Sequence, residues 1–133
     1  MEGINIWAVV VAAALAFVLG GMWYSPIMFG KAWMKELKLT DEDLAKSNMT
    51  VLFGLTFLIS LVISFCLAAF LNDPSIGVKE GTMYGFLTGF GWVSMSIGMI
   101  YLFSRYSFKL YLIDAGYQII LYTLIGAILG AWK

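Results

Sequence analysis

The sequence predicts an all-α integral membrane protein, a four-helix bundle with a short amphipathic interfacial helix in its first loop. Composition is the first observation behind this prediction. Of the 133 residues, 62% are apolar and 12% are charged, whereas soluble domains have about 45–50% apolar and about 25% charged residues. A soluble domain of this size cannot bury so much apolar surface. The second observation is that the chain contains four apolar stretches long enough to cross a bilayer.

These predicted spans cover residues 3–25, 49–71, 81–103 and 110–132. At about 1.5 Å per residue each is roughly 33 Å long, against a hydrocarbon core about 30 Å thick. Backbone groups in lipid must bond within their own segment, so each span is predicted to be α-helical. The whole chain, 1–133, is then a single membrane domain.

The first loop, about 27–47, has a helical pattern of its own. Pro26 is expected to end the first span. Phe29, Trp33 and Leu37 then recur every four residues, and lysines occupy another face. This is typical of a basic amphipathic helix that lies in the headgroup region.

Turn signals define the remaining connections. Thr40 is a predicted N-cap for a second short helix, with Asp43 at the position that completes a capping box. The sequence 72–75, Asn-Asp-Pro-Ser, predicts a turn between the second and third spans. The segment 104–109 is so short that the third and fourth spans are predicted to form a tight hairpin.

The distribution of basic residues predicts the orientation in the membrane. The first and third loops together carry six of the eight lysines and arginines. Because basic loops stay in the cytoplasm, both termini are predicted to lie outside. Glu2, which precedes the first span, agrees with this orientation.

Small residues recur every four positions in each span. Such a stripe lets two helix backbones approach closely in lipid, so we predict that the glycine faces are packed against another helix. The sequence leaves open whether that helix belongs to the same chain or to another copy. The predicted packing residues are Gly77, Gly81, Gly85, Gly89, Gly126 and Gly130.

The composition also restricts the chemistry. The chain has no histidine, one cysteine and zero net charge. These counts argue against His-based catalysis, a multi-thiolate metal site and a nucleic-acid partner. We therefore predict no catalytic residues, no metal and no cofactor. The cysteine, Cys66, is expected to be an inert apolar residue.

Asp114 is the one ionisable residue inside a predicted span. A carboxylate in lipid needs a cation, donors or water, or else takes up a proton. We expect it to bond to the segment 24–31, with Lys31 as the favoured cation and Tyr24 or Ser25 as uncharged alternatives. Three roles for Asp114 remain open. The residue belongs to a structural polar seam, or to a ligand, ion or proton site, or its side chain snorkels to the interface. The other candidates for binding or coupling are Tyr117, Gln118 and Tyr122.

Two short sequences near the predicted cytoplasmic ends of the spans have ordinary interpretations. Trp23 and Tyr24 are typical of aromatic anchors at a membrane interface. The sequences 21–24, Gly-Met-Trp-Tyr, and 98–101, Gly-Met-Ile-Tyr, both close odd-numbered spans. We attribute that match to chance.

Several motifs together resemble a known family. They are Trp23-Tyr24-Ser25-Pro26, Phe29-Gly30-Lys31 followed by Trp33-Met34, and Leu112-Ile113-Asp114-Ala115-Gly116-Tyr117, with Gly126-Ala127-Ile128-Leu129-Gly130 before a terminal Trp. The chain resembles, over nearly its whole length, the small bacterial membrane proteins grouped as domain of unknown function 1761. The resemblance implies a four-helix protein of a bacterial cytoplasmic membrane with no assigned activity, substrate or catalytic residues.

The sequence favours a non-enzymatic protein that acts in the lipid bilayer by helix-mediated assembly, as a homo-oligomer or with a membrane partner protein. The alternative is a small transporter or channel that uses Asp114 and the polar stripe of the fourth span, with an unknown small molecule or ion as substrate. A lipid-modifying enzyme would need a nucleophile with a base, or a metal cluster, and the sequence offers neither.

Overall fold

The computed structural model describes residues 3–133, and the described chain is helical. Its helices are α1 (Ile6–Trp23), α2 (Gly30–Leu37), α3 (Asp41–Ala45), α4 (Met49–Phe70), α5 (Val78–Ser104) and α6 (Phe108–Ala131). Four of them, α1, α4, α5 and α6, are long and apolar enough to cross a membrane. The predicted all-α fold with four spans is thus confirmed. Glu2, which entered the orientation argument, lies outside the described residues.

Helix α6 is the central element of the bundle. It contacts α1, α4 and α5, and α1 also packs against α4. Within residues 3–133, α4 and α5 make few contacts with each other. The bundle is therefore closed around α6 but open along the side between α4 and α5.

Small residues bring α1 and α4 together. Ala8, Ala12 and Ala16 of α1 are fully buried, and α4 buries Ser60 and Ser64. The hydroxyl of Ser60 donates back to its own helix. Small side chains allow the close approach that dispersion then stabilises in lipid.

Glycines bring α5 and α6 into backbone contact. A Cβ on Gly81 would lie 2.3 Å from the carbonyl oxygen of Gly126, and one on Gly126 would lie 2.2 Å from that of Gly81. A Cβ on Gly85 would lie 2.2 Å from the Tyr122 carbonyl, and one on Gly130 would lie 2.3 Å from the Gly77 carbonyl. The glycine faces of the third and fourth spans thus pack against each other within one chain.

Helix α5 contains a π-helical segment, Thr88–Ser94, for which the sequence has no signal. Gly89 of this segment faces α6, because a Cβ there would lie 3.0 Å from the Cβ of Tyr122. Such segments are rare and occur often at functional sites. The π turn also shifts the helical register, so the residues after it face directions that a regular α-helix would not give.

The first loop folds back onto the bundle. Helix α2 contacts α6, and the Ser107 hydroxyl at the start of α6 donates to the Glu36 carboxylate. The predicted cap of α3 is confirmed: Thr40 Oγ1 accepts from the Asp43 N–H at 3.1 Å, and the Asp43 carboxylate accepts from the Thr40 N–H at 2.9 Å. The latter bond holds the pKa of Asp43 below its usual value.

Candidate functional site

The carboxylate of Asp114 is held between two tyrosines. The Tyr24 hydroxyl donates to Oδ1 at 2.6 Å, and the Tyr101 hydroxyl donates to Oδ2. Tyr24 directly follows α1, Tyr101 lies in the last turn of α5, and Asp114 lies in the second turn of α6. These three residues, the Asp114 cluster, join three of the four spans at one end of the bundle.

Aromatic side chains on both sides fix the cluster. Trp23 is buried, and its Nε1–H donates to the Ile113 carbonyl at 2.9 Å. Tyr117 donates from its hydroxyl to the Ala16 carbonyl at 3.3 Å. On the other side the Tyr111 hydroxyl donates to the Ser94 carbonyl at 3.1 Å, at the end of the π segment. The segment 111–117 of α6 is therefore hydrogen-bonded both to α1 with its following turn and to α5.

The structure corrects the partner predicted for Asp114. Among residues 3–133 its hydrogen-bond partners are the two tyrosines, and Lys31 is not one of them. Ser25 is not a partner either, since its hydroxyl donates to the Met22 carbonyl at 2.7 Å. Of the three residues expected at this position, Tyr24 is the one that the structure brings to the carboxylate.

The turn after α1 explains why Lys31 stays away. The N–H of Gly30 donates to the Ser25 carbonyl at 2.9 Å, and a Cβ on Gly30 would lie 2.4 Å from the Tyr24 carbonyl oxygen. This tight turn directs Trp33 toward the bundle, where its ring packs edge-on against Tyr24 at 5.4 Å. Lys31 falls on the opposite, exposed face of α2.

Trp23 also differs from its interpretation as a simple interface anchor. It is 9% exposed and packs against Phe29 with ring centroids 4.7 Å apart. An indole N–H that is removed from water needs an acceptor, and the Ile113 carbonyl next to Asp114 provides one. Trp23 therefore ties α1 to α6 in parallel with Tyr24.

The polar stripe of α6 divides between two places. Asp114 and Tyr117 bond toward α1, whereas Gln118 and Tyr122 lie along α5 beside Gly89. The Tyr122 side chain borders a cavity of about 670 Å³ between α4 and α5. Within the described residues, Asp114 lines neither this cavity nor the second one, of about 20 Å³.

The larger cavity, called here the lateral groove, fills the open side of the bundle. Its α4 wall includes Val62, Cys66 and Phe70, and its α5 wall includes Tyr84 and Trp92. The groove wall from Val62 to Leu71, the residue that caps α4, rises about 14 Å, which is close to half of a hydrocarbon core about 30 Å thick. The groove therefore has the depth of one leaflet, on the side of the loop between α4 and α5.

Two features of these sites were missed in the sequence. Cys66 is exposed at the groove and not buried in the core. Tyr101 was not a candidate, although the similar sequences 21–24 and 98–101 end in the two tyrosines that hold Asp114. That match, attributed to chance, was the available signal.

Comparison with known families supports the resemblance seen in the sequence. The model of a family described as "Protein of unknown function (DUF1761)" matches residues 7–130. The chain belongs to the DUF1761 family. The matched range of this DUF1761 chain contains the Asp114 cluster and the lateral groove. Neither the curated proteins nor the solved structures include a match to it.

Proposed function

We propose that this protein is a non-enzymatic, multi-pass protein of the bacterial cytoplasmic membrane that binds an apolar ligand from the bilayer in the lateral groove. The observation that carries the proposal is the groove itself, which lies between two apolar helices of spanning length. Its volume of about 670 Å³ falls in the range of small-molecule sites, about 300–1,000 Å³.

The packing of the glycine faces bears on how the protein assembles. The sequence favoured assembly through these faces, but α5 and α6 occupy them with each other. Association with a second copy or with a membrane partner protein therefore needs another surface. Ligand binding in the groove requires no such surface, which is why we favour it.

The Asp114 cluster has a structural role in this proposal. Each carboxylate oxygen accepts from a tyrosine that belongs to a different helix, and neither cavity formed by the described residues is lined by Asp114. We assign the cluster to holding α1 and α5 against α6. The transporter that the sequence offered as an alternative would need a path for its substrate to Asp114.

The test is to fill the groove with a larger side chain and to identify the bound molecule that the protein loses. Cys66→Phe adds bulk at the α4 wall, and Leu58→Phe adds a ring to the same helix at a position that is 55% exposed and outside the groove. The wild-type protein and both variants are purified from the same membranes in mild detergent. Small molecules that remain bound are then detected by native mass spectrometry.

We expect the wild-type protein and Leu58→Phe to carry a bound small molecule that Cys66→Phe lacks. The reason is that the added ring takes up volume in the groove without disturbing the α5–α6 glycine contact. An identical set of bound molecules in all three proteins would contradict the proposal.

A further inference from the structure

Three residues that line the lateral groove carry a hydrogen-bond donor for which residues 3–133 supply no acceptor. They are Tyr84 and Tyr122, each with a hydroxyl, and Trp92, with an indole N–H. None of these side chains has a hydrogen-bond partner among residues 3–133, although the hydroxyl of Thr88 beside them donates to the Tyr84 carbonyl at 2.8 Å. A donor without an acceptor is costly in an apolar medium.

The position of these donors increases that cost. Trp92 lies near the middle of α5 and is 70% exposed, although tryptophans of membrane helices are enriched at the interfaces. Tyr122 is level with Gly89, because a Cβ on Gly89 would lie 3.0 Å from the Tyr122 Cβ. The residues that carry the donors therefore follow the groove from Tyr84, nearer the loop between α4 and α5, to Trp92 at the middle of α5. Water is scarce at that depth.

The groove thus combines an apolar wall with a row of aromatic donors. Aliphatic side chains of α4, such as Val62, Ile63 and Leu67, form one side. The donors lie on α5 and α6 opposite them. A complementary ligand has an apolar body, a flat ring that packs against aromatic side chains and oxygen acceptors on the ring.

Two common membrane components do not meet these requirements. A transmembrane helix can offer a carbonyl for a single bond, as Ile113 does for Trp23, but its acceptors lie on the backbone behind the side chains and not on a flat ring that enters the groove. A phospholipid places its ester carbonyls at the interface, about 15 Å from the membrane centre. Its acyl chain, which does reach the centre, has no acceptor for the Trp92 or Tyr122 donors.

We propose that the lateral groove binds a lipid-soluble quinone. A quinone has a planar ring with two carbonyl acceptors and an isoprenoid tail that dissolves in the bilayer. The ring would accept hydrogen bonds from Trp92 and Tyr122, and the tail would leave between α4 and α5. This inference rests on the proposed function, because it names the ligand of the same groove.

The native cysteine provides the assay. Cys66 is the one cysteine of the chain and lines the groove, so a bound ligand slows its alkylation by N-ethylmaleimide. The full chain is reconstituted in phospholipid nanodiscs, which gives every measurement the same phospholipid background. The probe is a quinone with a two-isoprene tail and a fully substituted ring, to which thiols do not add. The matched control probe is an isoprenoid hydrocarbon of equal length without oxygen.

We expect the quinone to slow alkylation of the wild-type protein at concentrations at which the hydrocarbon has no effect. Trp92→Phe combined with Tyr122→Phe keeps an aromatic ring at both positions and removes both donors. This double variant loses two hydrogen bonds and should need about tenfold more quinone for the same protection, which corresponds to about 1.4 kcal/mol. Tyr106→Phe, which removes a hydroxyl outside the groove, should behave as the wild type does.

The other outcomes separate the two proposals. Equal protection by the hydrocarbon and the quinone in the wild-type protein would overturn the quinone assignment and leave an apolar site in the groove. The same conclusion follows if the folded double variant binds the quinone as tightly as the wild type. If neither probe protects Cys66 and the purified protein carries no small molecule, the proposed function fails as well. The comparison of the two probes in the wild type decides the assignment even if the double variant does not fold.

Discussion

At the scale of single residues, Asp114 shows how a carboxylate is accommodated inside a predicted span when its hydrogen-bond partners among residues 3–133 are tyrosines and not a cation. Its two oxygens accept from Tyr24 and Tyr101. We predict that Asp114→Leu lowers the free energy of unfolding by about 1–3 kcal/mol, because it leaves two phenol donors unpaired. Asp114→Asn should keep most of the stability, since its amide still bonds to the tyrosines.

The measurement is equilibrium unfolding in mixed detergent micelles. Tyr24→Phe and Tyr101→Phe should each be less destabilising than Asp114→Leu. Tyr106→Phe is the matched control, because the Tyr106 side chain packs its ring against Tyr101 and its hydroxyl has no hydrogen-bond partner among residues 3–133. If Asp114→Leu is as stable as the wild type, the cluster does not hold the bundle. A proton-dependent flux in vesicles that Asp114→Asn abolishes would instead favour the transporter.

At the scale of helices, the contact between α5 and α6 depends on glycine at positions where the two backbones touch. A Cβ on Gly85 would lie 2.2 Å from the Tyr122 carbonyl oxygen, whereas one on Gly91 would meet nothing within 4 Å. We predict that Gly85→Leu separates the helices and destabilises the protein by about 1–3 kcal/mol or more, the cost of overpacking. Gly91→Leu in the same helix should be neutral. Thermal unfolding in detergent checks both, and equal melting temperatures would contradict the packing described here.

The same helices show how far sequence reasoning reaches. Hydropathy predicts the four spans, and the four-residue spacing of glycines predicts the glycine faces. Both predictions follow from the geometry of a regular helix. The π segment Thr88–Ser94 has no such periodic signal, since it depends on how α5 fits against α6. The partners of Asp114 were predicted only in part, because they too depend on how the helices pack. Tyr24 lies in the segment expected to meet it, but Tyr101 reaches it through the packing of a distant helix.

At the scale of the whole molecule, the open side of the bundle was beyond prediction from the sequence. Each span has apolar residues all around, because lipid and protein interior are equally apolar. Hydropathy therefore does not distinguish a helix face that meets lipid from one that lines a groove. The structure distinguishes the two kinds of face by showing which helices touch: α6 lies between α5 on one side and α1 and α4 on the other.

Orientation in the membrane is the remaining property of the whole molecule, and it decides which leaflet supplies the groove. Six of the eight basic residues lie in the first and third loops, at the end of the bundle that holds the Asp114 cluster. On that asymmetry we predict this end to be cytoplasmic, which places the groove in the outer leaflet. Lys38 and Ser75 are exposed at opposite ends. In a Cys66→Ala background, an impermeant thiol reagent added to intact cells should label Ser75→Cys and leave Lys38→Cys unlabelled until the membrane is opened. Labelling of Lys38→Cys alone would reverse the orientation and move the groove to the inner leaflet.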